Sequence, residues 1–205
     1  MALSQRKIIS ISAGVGAFIV AALLIGFLSN QLAHKSQFAN SVFPGLNTVS
    51  FNLPATTGGK VSNEDLLGRP TAVFYGFTHC PEVCPATLYG LSQIVESIGA
   101  AANDLQIVFV TVDPERDSVA ILKEYIGAIN EDAIGLSGSP EAIDTMRKAF
   151  GIFAEKTLLD DGDYTIDHTA TVFLYDAQGA LSGTIAWGEA DDFAEAKLRG
   201  LLEKS

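Results

Sequence analysis

The sequence predicts an α/β domain, a central mixed sheet flanked by helices, behind an N-terminal apolar segment. Three observations predict it. Thr71 to Phe77 and Ile107 to Val112 are nearly continuous apolar runs, as strands buried on both faces require. Helical patterning follows each run. The last third carries two β-rich runs around Ala177-Gln178-Gly179, which mark an antiparallel hairpin.

The N-terminus comes first. Ile8 to Leu28 is free of charge over 21 residues, close to the ~20 needed to cross a bilayer core. Arg6 and Lys7 precede it and hold the start of the chain in the cytoplasm. A cleaved signal peptide would share that charged start. Its apolar core is usually only about 7–15 residues, however, and Ser29 to Ala33 offers no small-x-small cleavage site. The expected organisation is a cytoplasmic end at 1–7, a transmembrane helix at 8–28, a tether at 29–45 and a folded domain at 46–205. Seven residues are too few for an arginine-rich transit peptide. The expected location is therefore a bacterial inner membrane, with the domain in the periplasm.

The remaining elements follow in order. Val49 to Leu53 reads as a short strand, closed by the turn Thr57-Gly58-Gly59. After the Thr71 strand, a helix begins around Cys80 to Cys84, with Cys84, Leu88, Leu91, Val95 and Ile98 on its core stripe. Asp117-Ser118 can cap a helix running to about Ala128, and Ser139-Pro140-Glu141 opens another with Pro at the first helical position. Residues 154–168 read as an irregular acidic loop. Strands at Thr171 to Tyr175 and Leu181 to Trp187, then a helix from about Asp192, complete the chain. Strand–helix–strand–helix followed by hairpin and helix fits a thioredoxin-like fold.

Composition narrows the function. Hydrophobic residues at 48% exclude a disordered chain. Residues 1–35 contain Arg6, Lys7 and Lys35 and no acid, so the formal charge of −11 becomes −14 for the remainder. Such a domain repels phosphate backbones, and nucleic acid is excluded as a partner.

The chain has two cysteines, Cys80 and Cys84, and a bridge across so short a loop would remove little unfolded-state entropy. In an oxidising compartment the pair therefore reads as redox or metal chemistry. Its place, after a strand and at a helix start, offers open N–H groups and a helix dipole that favour thiolate. Spacing of i, i+4 would put both sulfurs on one face of the first turn. Dithiol oxidoreductases typically use C-x-x-C, and the wider C-x-x-x-C suits a metal ion, although Cys84 also continues a core stripe.

Two thiolates need a third donor. His34 falls in the tether, His79 adjoins Cys80 and suits a supporting role, and His168 follows the acidic loop directly before a strand. From the residues alone, a lone histidine such as His168 is more often a structural residue than a ligand, although a mobile loop carrying imidazole to two thiolates would bind and release a metal. Sulfur with imidazole suits Cu(I), or Cu(II) with an added oxygen, whereas a closed zinc site would need a fourth protein ligand. Asp113, at the end of the second buried strand, would reach the same rim of the sheet, where open α/β sheets place their sites.

At three segments the chain resembles the Sco/SenC family of copper chaperones. They are Phe74-Tyr75-Gly76-Phe77-Thr78-His79-Cys80-Pro81-Glu82-Val83-Cys84-Pro85, Val112-Asp113-Pro114-Glu115-Arg116-Asp117, and Asp167-His168-Thr169. The resemblance implies a thioredoxin-like fold and copper held by Cys80, Cys84 and His168, with His79, Asp113 and Asp167 in support or meeting a partner. It further implies a disulfide between Cys80 and Cys84 when oxidised. The implied task is assembly of the dinuclear copper A site of cytochrome c oxidase subunit II. Another periplasmic copper chaperone or a thiol reductant is a further expected partner. Two other roles stay open: a thiol-disulfide reductase preparing the oxidase cysteines, and a redox or copper sensor.

Overall fold

Strand β3 (Thr71–Gly76) and strand β4 (Gln106–Thr111) are buried along their whole length and pair in parallel, with Gly76 opposite Thr111. They are the apolar runs of the sequence, and burial on both faces is why they lack alternation. The computed structural model describes residues 43–204. The expected transmembrane helix at 8–28, Arg6, Lys7, His34 and most of the tether lie outside the described residues. Among the described residues, no helix is long and apolar enough to cross a membrane.

Five strands form the main sheet in the order β5-β4-β3-β8-β9. Strand β5 (Ile134–Leu136) runs parallel to β4, while β8 (Thr171–Tyr175) and β9 (Leu181–Ala186) complete it as an antiparallel hairpin. Two further hairpins stand outside this sheet: β1 (Asn52–Pro54) with β2 (Lys60–Ser62), and β6 (Ala154–Leu158) with β7 (Tyr164–His168). Helix α1 (Val83–Ile98) packs on α4 (Asp191–Leu202), α2 (Val119–Gly127) packs on β5, and α3 (Pro140–Ala149) follows β5.

Local chemistry explains most boundaries. Ser118 caps α2 by accepting from the Ile121 N–H (3.3 Å), and Ser139 caps α3 by accepting from the Ala142 N–H (3.2 Å). Pro140 starts α3, where its missing N–H costs nothing. Gly179, at φ +76°, turns the β8–β9 hairpin.

Several expectations need correction. The first strand begins at Asn52, three residues later than expected, and pairs with the short β2 after the Gly58-Gly59 turn. Ile94 joins the buried stripe of α1, whereas Val95 is only partly buried against the core. Chain packing begins inside the expected tether, where Phe43 meets the Phe173 ring edge-on at 5.0 Å. The largest change concerns 154–168, which is a hairpin with five paired positions, where only 159–163 lie outside the strands. Its strands face solvent on one side, so alternation was confined to Tyr164, Ile166 and His168, too short a signal to read.

The topology sets the site. Strand β8 runs antiparallel to β3 with Val172 opposite Phe74, so the start of β8 lies at the carboxyl end of β3. His168, three residues before β8, therefore arrives at the rim that carries the cysteine turn.

Candidate metal centre

The chain leaves β3 at Phe77 and turns through Thr78 and His79, with the Cys80 N–H bonding back to the Phe77 carbonyl (3.3 Å). Helix α1 starts only at Val83, so Cys80 precedes the helix and does not share its first turn with Cys84, as the spacing had implied. The pair still meets, because the Cys84 N–H donates to Cys80 Sγ at 3.4 Å. Cys80 is half-buried and Cys84 fully buried, and both are free thiols.

Asp117 anchors this turn. It is fully buried, accepts from the Thr78 N–H (3.0 Å) and hydroxyl (2.6 Å), and takes a third bond from the Thr111 hydroxyl (2.7 Å). Its backbone carbonyl accepts from Ser137 at 2.6 Å. The capping role expected of Asp117-Ser118 falls to Ser118 alone, and the buried carboxylate instead ties the cysteine turn to β4.

Cys84 lies against the backbone of β3. A methyl placed on Gly76 would stand 2.8 Å from Cys84 Sγ and 3.0 Å from the Phe109 ring. Gly76→Ala is expected to destabilise the reduced protein by about 1–3 kcal/mol, because a packed core yields poorly to added volume. Urea unfolding checks this, and unchanged stability would mean that the thiol moves aside freely.

Burial pushes the Cys84 thiol up, against a backbone hydrogen bond at Phe77 that acts the other way; the charges of Cys80 and Asp117 add to the rise. This corrects the expectation that the helix start lowers the pKa of both cysteines. For Cys84, lost hydration outweighs the helix dipole.

His168 faces this thiol, with Nε2 3.6 Å from Cys84 Sγ. Its Nδ1 lies 3.2 Å from the Thr169 carbonyl, an acceptor only, which assigns the ring proton to Nδ1 and leaves the Nε2 lone pair toward the sulfur. The ring stands edge-on to Phe77 (5.7 Å) and Phe74 (6.1 Å). Burial lowers its pKa, against smaller upward effects of the Thr169 carbonyl and Asp167. The resting pair is thus a neutral thiol beside a neutral imidazole. Among the described residues, no three His, Cys, Asp or Glu side chains stand close enough to hold a metal as placed.

The two shifts act at opposite ends of the pH scale. His168, lowered from 6.5, contributes stability that is lost as pH falls through 6.5 toward its folded value. Cys84, raised from 9.0, contributes stability that is lost as pH climbs above 9.0. Thermal melts of reduced, metal-free protein should plateau between these limits, and Cys84→Ala should flatten the alkaline decline. An alkaline limb identical in both proteins would exclude the buried thiol as its cause.

The other candidates lie apart from the sulfurs. His79 is half-exposed, 3.0 Å from the Thr78 hydroxyl and 4.0 Å from Asp117 Oδ1. Asp167 points outward on β7 and accepts from Thr157 at 3.1 Å. Asp113 is fully buried and binds Arg116 Nε at 2.5 Å and the Tyr164 hydroxyl at 2.8 Å. It works from behind the rim, holding the β6–β7 hairpin that carries His168. Burial and the Asp113 hydrogen bond push Tyr164 up to about 12, so it stays a donor. Neither Tyr164 nor Arg116 carried a role in the sequence reading; only the pairing that brings the hairpin against the 113–116 turn makes one visible.

The fold and this rim define a thioredoxin-like protein with a dithiol and an imidazole at the carboxyl ends of its central strands. The SCO1/SenC family model matches residues 43–203. The chain is 37% identical over 125 residues to Protein SCO1 homolog 1, mitochondrial, of Arabidopsis thaliana, covering 60% of this chain and 37% of that protein. It is 33% identical over 158 residues to Protein SCO1 homolog, mitochondrial, of Homo sapiens, covering 76% of this chain and 50% of that one. The matched part thus spans half or less of these relatives. The structure of Bradyrhizobium japonicum ScoI with copper bound superposes with TM-score 0.68 at 35% identity, covering 75% of this chain and 98% of that one. The chain belongs to the SCO1/SenC family.

Proposed function

We propose that the protein binds copper through the Cys80 and Cys84 sulfurs and His168 Nε2, and delivers it to the dinuclear copper A site of cytochrome c oxidase subunit II. The observation that carries this reading is the 3.6 Å approach of Cys84 Sγ to an Nε2 whose lone pair is free. Nδ1 is occupied by the Thr169 carbonyl, the partner that fixes a metal-binding histidine's tautomer. Two soft sulfurs and one imidazole form a donor set suited to Cu(I). Cys80, free and half-buried on the turn, supplies the second sulfur. Copper enters as the thiol protons leave, so affinity rises with pH, and disulfide formation abolishes binding. The copper-bound ScoI of Bradyrhizobium japonicum supports copper as the cargo.

The apolar run 8–28, with Arg6 and Lys7 before it, supports an anchor in a bacterial inner membrane and a periplasmic domain. In this reading the site faces the periplasm.

A second reading follows from the unequal exposure of the thiols. A half-exposed Cys80 followed by a buried Cys84 suits attack and resolution in thiol-disulfide exchange, which would make the protein a reductase of the oxidase cysteines. Deleting the gene and assaying oxidase activity with and without added copper separates the two. Rescue by copper supports delivery. A defect that copper leaves in place, but a small-molecule thiol reductant corrects, would overturn it in favour of reduction.

A further inference from the structure

A groove of about 270 Å³ runs between α1 and the segment joining β9 to α4. Its floor is apolar and built from Leu91 and Ile94 of α1, Val172 of β8 and Ile185 of β9, all buried. Trp187, the chain's one tryptophan, lines it and is 47% exposed. From α1 the lining includes Gly90, where an added Cβ would meet nothing within 4 Å. The groove is therefore open to an incoming side chain. An exposed tryptophan over an apolar floor is the composition of an interface core.

This groove adjoins the proposed copper site. Ala86 lines it two residues after Cys84, and Ala170 lines it two residues after His168. Two chain steps span at most about 8 Å. The Trp187 N–H donates to the Ala170 carbonyl (3.3 Å), which ties the tryptophan to the His168 segment. Copper on the fully buried Cys84 can leave only to donors of a protein pressed against this rim. A standard interface covers about 800 Å² per partner, a disc of roughly 16 Å radius, so a footprint centred on the site covers the groove. Charge narrows the occupant. Asp191 lines the groove without an ion partner among the described residues, whereas Glu189 pairs with Lys197 at 2.6 Å. Glu82, exposed between the cysteines, carries the same sign. A second copy of this acidic chain would bring like charge to the rim; a cationic partner would not.

We infer that this groove docks the copper-receiving partner, taking from it one apolar side chain with a lysine or arginine beside it. Trp187 and the floor bury the apolar group, and Asp191 meets the cation. The inference rests on the copper reading for the partner's identity. It adds the contact that holds the two proteins together while the metal crosses.

The test titrates the reduced full chain, in detergent, with the metal-free copper A domain of subunit II. 5-Fluorotryptophan labelling gives a single 19F resonance, since Trp187 is the one tryptophan, and that resonance should shift as the partner binds. Gly90→Leu fills the groove and should weaken docking about tenfold. Its melting temperature should hold or rise, because leucine replaces glycine inside a helix. Asp191→Lys should also weaken docking about tenfold, by setting like charges together. Glu131→Lys, just before β5 on the opposite rim, should stay within about twofold of wild type. Cu(I) affinity, read by chelator competition, should match wild type in all three variants. Docking of wild-type strength in Gly90→Leu overturns the inference. So does dimerisation of the chain that Gly90→Leu abolishes, since a second copy would then be the occupant. Equal weakening by Glu131→Lys overturns the cation contact. If wild type docks but takes no copper, the copper reading fails, and weaker docking by Gly90→Leu still supports the groove. Copper binding without docking overturns the groove alone.

Discussion

His168→Ala is expected to lower Cu(I) affinity by at least about a hundredfold while leaving the fold in place. Removing a mere supporting group from a metal site typically costs about 10–100-fold, so removal of a donor must reach the top of that range. The loss to folding is confined to the packing of the ring. The ring is held edge-on by Phe74 and Phe77, contacts worth about 0.5–1.5 kcal/mol each beyond burial. No strand pairing depends on it, since the Ala154–His168 ladder uses backbone groups alone. Chelator competition on reduced protein measures the affinity, and a thermal melt without metal checks the fold. Asp167→Ala is the matching control: its outward carboxylate accepts only from Thr157, so affinity should stay within about threefold, as for an exposed contact of about 0.5 kcal/mol. An unchanged Cu(I) affinity in His168→Ala would remove the imidazole from the site.

The parts of the fold that could be read from sequence are those whose burial is uniform. β3, β4 and α1 announced themselves because one environment acts along each whole element, giving a continuous apolar run or a helical stripe. Ser118 and Ser139 were legible as caps because capping is local chemistry. The β6–β7 hairpin escaped for the opposite reason. Ala154 to Leu158 is almost wholly exposed, so its acidic and polar residues follow no period, and only tertiary support makes it a strand. The site shows the same division. Cys80 and Cys84 stood out through residue type and spacing, yet their unequal burial, which reverses the expected pKa of Cys84, depends on Gly76 and Phe109 closing around one sulfur. The approach of His168 follows from the antiparallel register of β8 on β3, a long-range pairing that no local pattern encodes.

Arg116→Met is expected to cost about 3–5 kcal/mol of folding stability and, with it, the order of the hairpin that carries His168. Arg116 clamps the rim to the hairpin at several points. Its Nε meets the fully buried Asp113 at 2.5 Å, while Nη1 reaches Asp163 at 3.1 Å and the Tyr164 carbonyl at 3.0 Å. The guanidinium also lies 3.7 Å above the Tyr164 ring. Removing it leaves the Asp113 carboxylate buried without its cation, the situation in which a broken ion pair is most damaging. The neighbouring Lys156–Glu115 pair, at 2.6 Å, is half-exposed at both ends and should contribute at most about 1 kcal/mol. Arg116→Lys keeps the charge but not the planar fork, so it cannot serve Asp113, Asp163 and the Tyr164 carbonyl together and should recover only part of the loss. Asp113→Asn combined with Arg116→Met removes the stranded charge and should return about half of the stability, by roughly 2 kcal/mol, while leaving the hairpin loose. Urea unfolding measures the first effect, and hydrogen exchange of the 154–168 amides the second. Because His168 ends that hairpin, Cu(I) affinity should fall even in the stabilised double variant. Hairpin amides protected as in wild type would show that β6 and β7 hold the imidazole in place without the Arg116 clamp.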